Sequence, residues 1–168
     1  SSSSAASDVI RDSFEVNVMS GVRFTRHYAP GMAGRGWGRI VFVSSESALN
    51  IPREMIHYGM TKTAQLSLSR GFAMELAGTG VTVNALLPGP THTENTDRMR
   101  AERAQAAGVS VEEIEAGFLR DFRPTTLIRR FTSAEEVAAL GVYLCSEAAS
   151  GTSGAAMRVD GGVVNQIM

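Results

Sequence analysis

Tyr58 and Lys62 stand four residues apart, and Ser45 precedes the tyrosine by thirteen positions. On a helix, residues four apart lie on one face, one turn from each other. An ammonium beside a phenol favours the phenolate and lowers a pKa that otherwise sits near about 10. A phenol tuned in this way exchanges a proton with a carbonyl or alcohol oxygen near neutral pH. The alternative is an ordinary surface Tyr/Lys pair. Composition weighs against it: of 16 basic residues, Lys62 is the only lysine. Arginine supplies the charge, but its planar fork does not replace a compact ammonium with three donors.

Other positions carry possible chemistry. Ser45 ends a predicted strand, and in open parallel sheets ligands sit beyond the carboxyl ends of the strands. Its hydroxyl either points into that crevice or forms the following turn. Asn17 falls inside the first predicted helix, where its amide needs a protein partner or water. Pro88-Gly89-Pro90-Thr91-His92-Thr93 follows the second strand. There, glycine permits close approach of the backbone to a ligand and the threonine hydroxyls can bind it, or the segment is a tight turn. His27, His57 and His92 are too scattered to suggest a metal site, and no Cys/His cluster exists. Glu94, Asp97 and the charges from Arg98 to Arg103 read as a solvated face. Cys145, alone in the chain, cannot form an internal disulfide and reads as a buried small hydrophobe.

These side chains must be positioned by regular elements. Residues 1–7 (SSSSAAS) read as a flexible Ser-rich terminus, and residues 8–168 as a single domain. A helix is predicted from an N-cap at Asp8 to about Met32, with Pro30 kinking or ending it. Arg39 to Ser45 is a nearly continuous apolar run, suited to a strand buried on both faces. The helix carrying Tyr58 and Lys62 runs to about Ala77, and Val81 to Leu87 forms a second buried strand. Ser110 with Glu113, and Ser133 with Glu136, have capping-box spacing and open two further helices. Ala155 to Val159 is a third strand. Strand and helix alternate, which implies an α/β layer fold with parallel strands and right-handed crossovers. The 168 residues, 43% hydrophobic with a net charge of −1, suit one globular domain. The near-zero charge argues against a nucleic-acid partner. No apolar run approaches the roughly 18 residues of a membrane span, and no signal peptide opens the chain, so a soluble cytoplasmic protein is expected.

Taken together, Ser45, Tyr58-x3-Lys62, Pro88-Gly89-x3-Thr93 and Val159-Asp160-Gly161-Gly162 resemble the short-chain dehydrogenase/reductases in order and spacing. Gly38 to Ser45 resembles that family's fifth strand, and Phe14-Glu15-Val16-Asn17-Val18 its asparagine-bearing helix. The resemblance implies an NAD- or NADP-dependent oxidoreductase that interconverts a secondary alcohol and a carbonyl compound. It makes Tyr58 the general acid/base, Ser45 the group that polarises the substrate oxygen, and Lys62 the holder of the nicotinamide ribose. Asn17 would support a relay water, and Pro88, Gly89, Thr91 and Thr93 would bracket the nicotinamide. The loop from Thr91 to Pro124, with Met99, Phe118, Leu119 and Phe122, would cover the pocket. A homodimer or homotetramer is implied as well.

The family's Gly-x3-Gly-x-Gly turn is not found before Asp8. A Rossmann-like doubly wound sheet is therefore expected here only as its C-terminal half, about three strands, with Arg39 to Ser45 left as an open apolar edge. A second reading, from another class, is an inactive half-domain that mediates oligomerisation, with Gly71, Phe72, Met74 and Leu76 as a possible surface. A serine hydrolase is disfavoured because Val43-Ser44-Ser45-Glu46 is not a nucleophile elbow.

Overall fold

The computed structural model describes residues 2–167. Its first helix runs in three parts: α1 (Ser2–Phe14), a π-helical turn over Glu15–Met19, and α2 (Ser20–Gly34). No glycine or proline precedes Gly21, so nothing interrupts the helix early. Within the Ser-rich tract expected to be flexible, the backbone is helical from Ser2, and Ser1 lies outside the described residues. Asp8 is consequently not an N-cap: it sits inside α1 and accepts a 3.2 Å hydrogen bond from Arg11. Nor does Pro30 end the helix, which continues to Gly34.

Three parallel strands, β1 (Gly38–Val43), β2 (Val81–Pro88) and β3 (Ala156–Val159), form one sheet in that spatial order. Gly38 pairs with Val81, and Pro88 with Val159. β2 is central and buried from Val81 through Leu87, as a continuous apolar run in a parallel sheet should be. β1 departs from that expectation. Ile40 and Val41 are only half-buried and Val43 is 54% exposed, because β1 is an edge strand with a neighbour on one side only. Asn84, wholly buried in β2, satisfies its amide by donating to Thr152 O and accepting from Ala155 N.

Alternation along the strands sends side chains to two layers. Phe42, Val83, Ala85 and Leu87 pack with Ala29 of α2 and with Leu66 and Phe72 of α3 (Ile56–Glu75). On the other face, Gly141 of α6 (Ala134–Cys145) lies against Leu86. Helices on both faces of a parallel sheet are the doubly wound arrangement, represented by three strands. Phe72 and Leu76 belong to the core, so they are not part of the exposed docking surface that the sequence suggested, whereas Met74 is 68% exposed. Cys145 is exposed rather than buried, since its neighbour Leu144 takes the inward position at the end of α6.

Between β2 and β3 the chain forms α4 (Glu94–Ala107) and α5 (Val111–Phe122). Ser110 and Ser133 cap α5 and α6 by capping boxes with Glu113 and Glu136. Thr93 caps α4 in the same way, with Thr96 as its partner. That third box escaped the sequence reading because its closing residue is a threonine, where glutamate or glutamine is usual.

Candidate active site

The strands' carboxyl ends deliver Ser45, Pro88 and Asp160 to one side of the sheet. Ser45 continues β1 in an extended conformation, and its Oγ accepts a 3.1 Å bond from the Ser47 amide, which starts a short 3₁₀ turn over Glu46–Ala48. Both readings of this serine therefore hold: it forms the turn, and it lines a cleft of about 600 Å³. Tyr58 and Lys62 lie on the first two turns of α3 and line the same cleft. Ser44 Oγ donates to the Lys62 carbonyl at 2.8 Å, which pins α3 to the end of β1.

The Lys62 ammonium lies 5.4 Å from the centre of the Tyr58 ring and donates to the Val43 carbonyl at 3.0 Å. The sequence suggested that this ammonium lowers the phenol pKa. The structure has the opposite balance. Burial raises the Tyr58 pKa above 10.0, and the nearby Glu46 charge adds to that, against a Ser45 hydrogen bond and the Arg123 charge. Lys62 is over the ring and engaged by a carbonyl, and burial lowers its own pKa. The phenol is thus held in its protonated form.

Asn17 sits in the π-helical turn, a distortion common at functional sites. Its Nδ2 donates to Thr61 Oγ1 at 3.0 Å, and that hydroxyl donates to the Tyr58 carbonyl at 2.8 Å. Gln65 Nε2 returns a 2.6 Å bond to the Asn17 carbonyl. The protein partner anticipated for this asparagine is therefore the backbone of the tyrosine helix, reached through the fully buried Thr61.

Pro88, Gly89, Thr91 and Thr93 form the facing wall. Gly89 is required by a neighbouring strand end: a Cβ there would lie 2.5 Å from the Asp160 carbonyl oxygen, and the Gly89 amide donates to Val159 O. Thr91 Oγ1 donates to Gly89 O at 2.8 Å, and Thr93 Oγ caps α4. Both hydroxyls are thus already bonded within the fold. Beyond them the cleft is apolar, lined by Met99, Ile114, Phe118 and Phe131.

Two charged clusters at the cleft were missed or misread. Arg100, expected on a solvated face, is 7% exposed; it pairs with Asp97 and with Glu115 at 3.0 Å, and lies over Phe131. Glu46 and Arg123 form a buried ion pair at 2.7 Å. No local pattern could reveal it, since the partners are 77 residues apart. Among the described residues, no group of three or more His, Cys, Asp and Glu side chains is gathered as for a metal ion.

A sequence model described as Enoyl-(Acyl carrier protein) reductase matches residues 3–164. The chain is 44% identical over 154 residues to an uncharacterized oxidoreductase, YvaG, of Bacillus subtilis, covering 92% of this chain and 58% of that protein. It is 34% identical over 151 residues to a D-beta-hydroxybutyrate dehydrogenase of Cupriavidus necator, covering 90% of this chain and 57% of the relative. Among solved structures, L-sorbose reductase from Gluconobacter frateurii, complexed with NADPH and L-sorbose, superposes with a TM-score of 0.88 at 30% identity. That match covers 95% of this chain and 60% of the reductase. The chain spans a little under three fifths of the length of these curated relatives.

Proposed function

The chain belongs to the short-chain dehydrogenase/reductase family, and from that membership we propose that it provides the catalytic part of an NAD(P)-dependent oxidoreductase interconverting a secondary alcohol and a ketone. One observation carries the proposal. Tyr58, Lys62 and Ser45, from two different elements, meet in a single cleft at the carboxyl end of β1.

The nicotinamide end of a dinucleotide fits the residues present. An ammonium has three donors, and Lys62 has one of them on Val43 O, so two remain for ribose hydroxyls. Pro88, Gly89, Thr91 and Thr93 offer the opposite wall. When bound, the cofactor supplies or accepts the hydride. The protein moves the proton. In the reductive direction Tyr58 gives its phenolic proton to the substrate oxygen, while the Ser45 hydroxyl donates a hydrogen bond to the same atom. In the oxidative direction the Tyr58 phenolate takes that proton back. The raised pKa of Tyr58 keeps the donor form populated at neutral pH. Lys62 opposes the charge left on the phenolate, and Asn17 fixes the tyrosine helix through Thr61.

Calorimetric titration of the 168-residue chain with NADH and NADPH, then assays with ketones, test this reading. Turnover that survives Tyr58→Phe would refute the role of the tyrosine.

A second reading, an interaction module, is favoured by apolar exposure on the first helix. Val16 is 70% exposed, Phe24 64% and Tyr28 54%. Sedimentation analysis with and without cofactor separates the two, because a module without enzymatic function associates and binds no dinucleotide. A homodimer or homotetramer that binds cofactor fits the enzyme. No helix among the described residues is long and apolar enough to cross a membrane.

A further inference from the structure

Two buried charges beside Ser45 have no part in the proton transfer just described. Glu46 is 3% exposed and Arg123 is 9% exposed. Arg123 Nε donates to Glu46 Oε1 at 2.7 Å, and Ser47 Oγ donates to the same oxygen at 3.1 Å. The other carboxylate oxygen, Oε2, is buried and has no hydrogen-bond partner among the described residues. Stability does not explain this arrangement. A buried ion pair does little better than apolar residues of the same volume, and an unpaired oxygen makes it worse.

The surroundings say what the free oxygen wants. Asp160, held by the amides of Gly162 and Val164, adds a second negative charge close enough to raise the Glu46 pKa. Two carboxylates against one guanidinium repel an anionic group and attract a hydrogen-bond donor. Glu46 directly follows Ser45 in the chain, lines the same cleft, and lies within electrostatic reach of Tyr58. A substrate whose reacting oxygen meets Ser45 and Tyr58 lies in the cleft that Glu46 also lines. Met99, Ile114 and Phe118 are left to cover the carbon skeleton.

We propose that Glu46 Oε2 accepts a hydrogen bond from a hydroxyl on the carbon next to the reacting one, so that the site selects α-hydroxy ketones and vicinal diols over simple ketones. The proposal rests on the oxidoreductase reading above. Oε2 has almost no exposed surface without ligand, so the proposal requires that cleft side chains give way to the hydroxyl. Arg123 and Ser47 act as positioning residues: by occupying Oε1 they leave Oε2 as the oxygen with capacity.

Cyclohexanone and 2-hydroxycyclohexanone differ by the hydroxyl in question and serve as the probe pair. Their kcat/KM values with NADH and NADPH, and their Kd values by ligand-observed NMR in the presence of cofactor, are measured on the wild-type chain, E46Q and E46D. The wild type should prefer the hydroxylated ketone by about tenfold or more, because an analogue lacking the hydroxyl leaves a buried acceptor unpaired. In E46Q the carbonyl oxygen stays on Arg123 and Ser47, so an amide N–H donor takes the place of Oε2, and in E46D the acceptor is withdrawn by one methylene; in both, the ratio should fall towards one. A wild-type ratio within about twofold of one overturns the proposal without any variant, since about 1.4 kcal/mol is expected to be a tenfold effect. So does a preference that persists in a folded E46Q. Turnover of both ketones at equal efficiency leaves the oxidoreductase reading standing and removes this one. A tenfold difference in Kd with no turnover of either removes the oxidoreductase reading and, with it, this proposal.

Discussion

Replacing Arg123 by methionine removes the only cation bonded to Glu46 among the described residues while keeping most of the side-chain volume. The carboxylate left behind is 3% exposed, with Oε2 unpartnered and Oε1 reduced to its Ser47 bond. Breaking a buried pair from one side costs about 3–5 kcal/mol, which is about 6–20 °C in Tm for a domain of this size. The loss should depend on pH, and its sign follows from Glu46. Burial, the largest influence, raises the Glu46 pKa above 4.5, and Arg123 pulls it down. With a raised carboxyl pKa the folded state holds the proton more tightly than the unfolded one. Stability is therefore highest below the unfolded value and falls as pH rises through the folded value. Without Arg123 the folded value climbs further, so the deficit is small at acid pH, where Glu46 is protonated, and full well above it. Urea denaturation of wild type and R123M at about pH 5.5 and pH 8, each with a stated midpoint and slope, measures this. A deficit equal at both values, or below about 1 kcal/mol at the higher one, refutes the account of a buried charge held by Arg123. The double variant E46Q/R123M should recover stability relative to R123M, with coupling above about 1 kcal/mol.

Other consequences are open to simpler measurements. Thr82 Oγ1 and Ser69 Oγ are buried without partners among the described residues, so Thr82→Val and Ser69→Ala should each stabilise the protein, by about 1 kcal/mol in denaturant titration. Gly89→Ala should cost about 2 kcal/mol or more and raise proteolytic susceptibility around β3, because the new methyl meets the Asp160 backbone at 2.5–2.8 Å. Asn17→Ala should cost about 1 kcal/mol by removing the bond to buried Thr61, whose hydroxyl keeps its bond to the Tyr58 carbonyl, and should lower kcat more than it raises KM. Difference absorbance titration of wild type against Y58F should give a Tyr58 midpoint above 10.0 in the absence of cofactor, and E46Q should lower it by removing a neighbouring negative charge.

Much of the architecture was legible because it is encoded locally. Val81 to Leu87 is apolar at every second position and rich in β-branched residues, and it became the buried central strand. Ser110 and Ser133 announced two helices through glutamates three residues on, and both caps formed. What was misread depended on neighbours distant in sequence. Ile40 to Val43 has the composition of a strand buried on both faces, yet the open edge that was also expected for it leaves Ile40 and Val41 half-buried and Val43 54% exposed. Cys145 and Leu144 are equally apolar in pattern, and only packing decided that leucine faces inward.

At the site the division is similar. The sequence by itself determined the chemical groups, since Tyr58 and Lys62 share a helix face by spacing alone and Ser45 follows, two residues on, a strand that points to the sheet's carboxyl edge. Tertiary structure decided their state. Burial holds the Tyr58 phenol protonated where its lysine neighbour suggested the reverse, because desolvation depends on what surrounds a group and not on what stands four residues away. It also decided that Gly89 answers to the Asp160 backbone, that Asn17 works through Thr61, and that Arg123 crosses 77 positions to meet Glu46. Spacing along a chain fixes contacts within a helix or a turn, whereas contacts between elements exist only once the sheet has closed its layers around them.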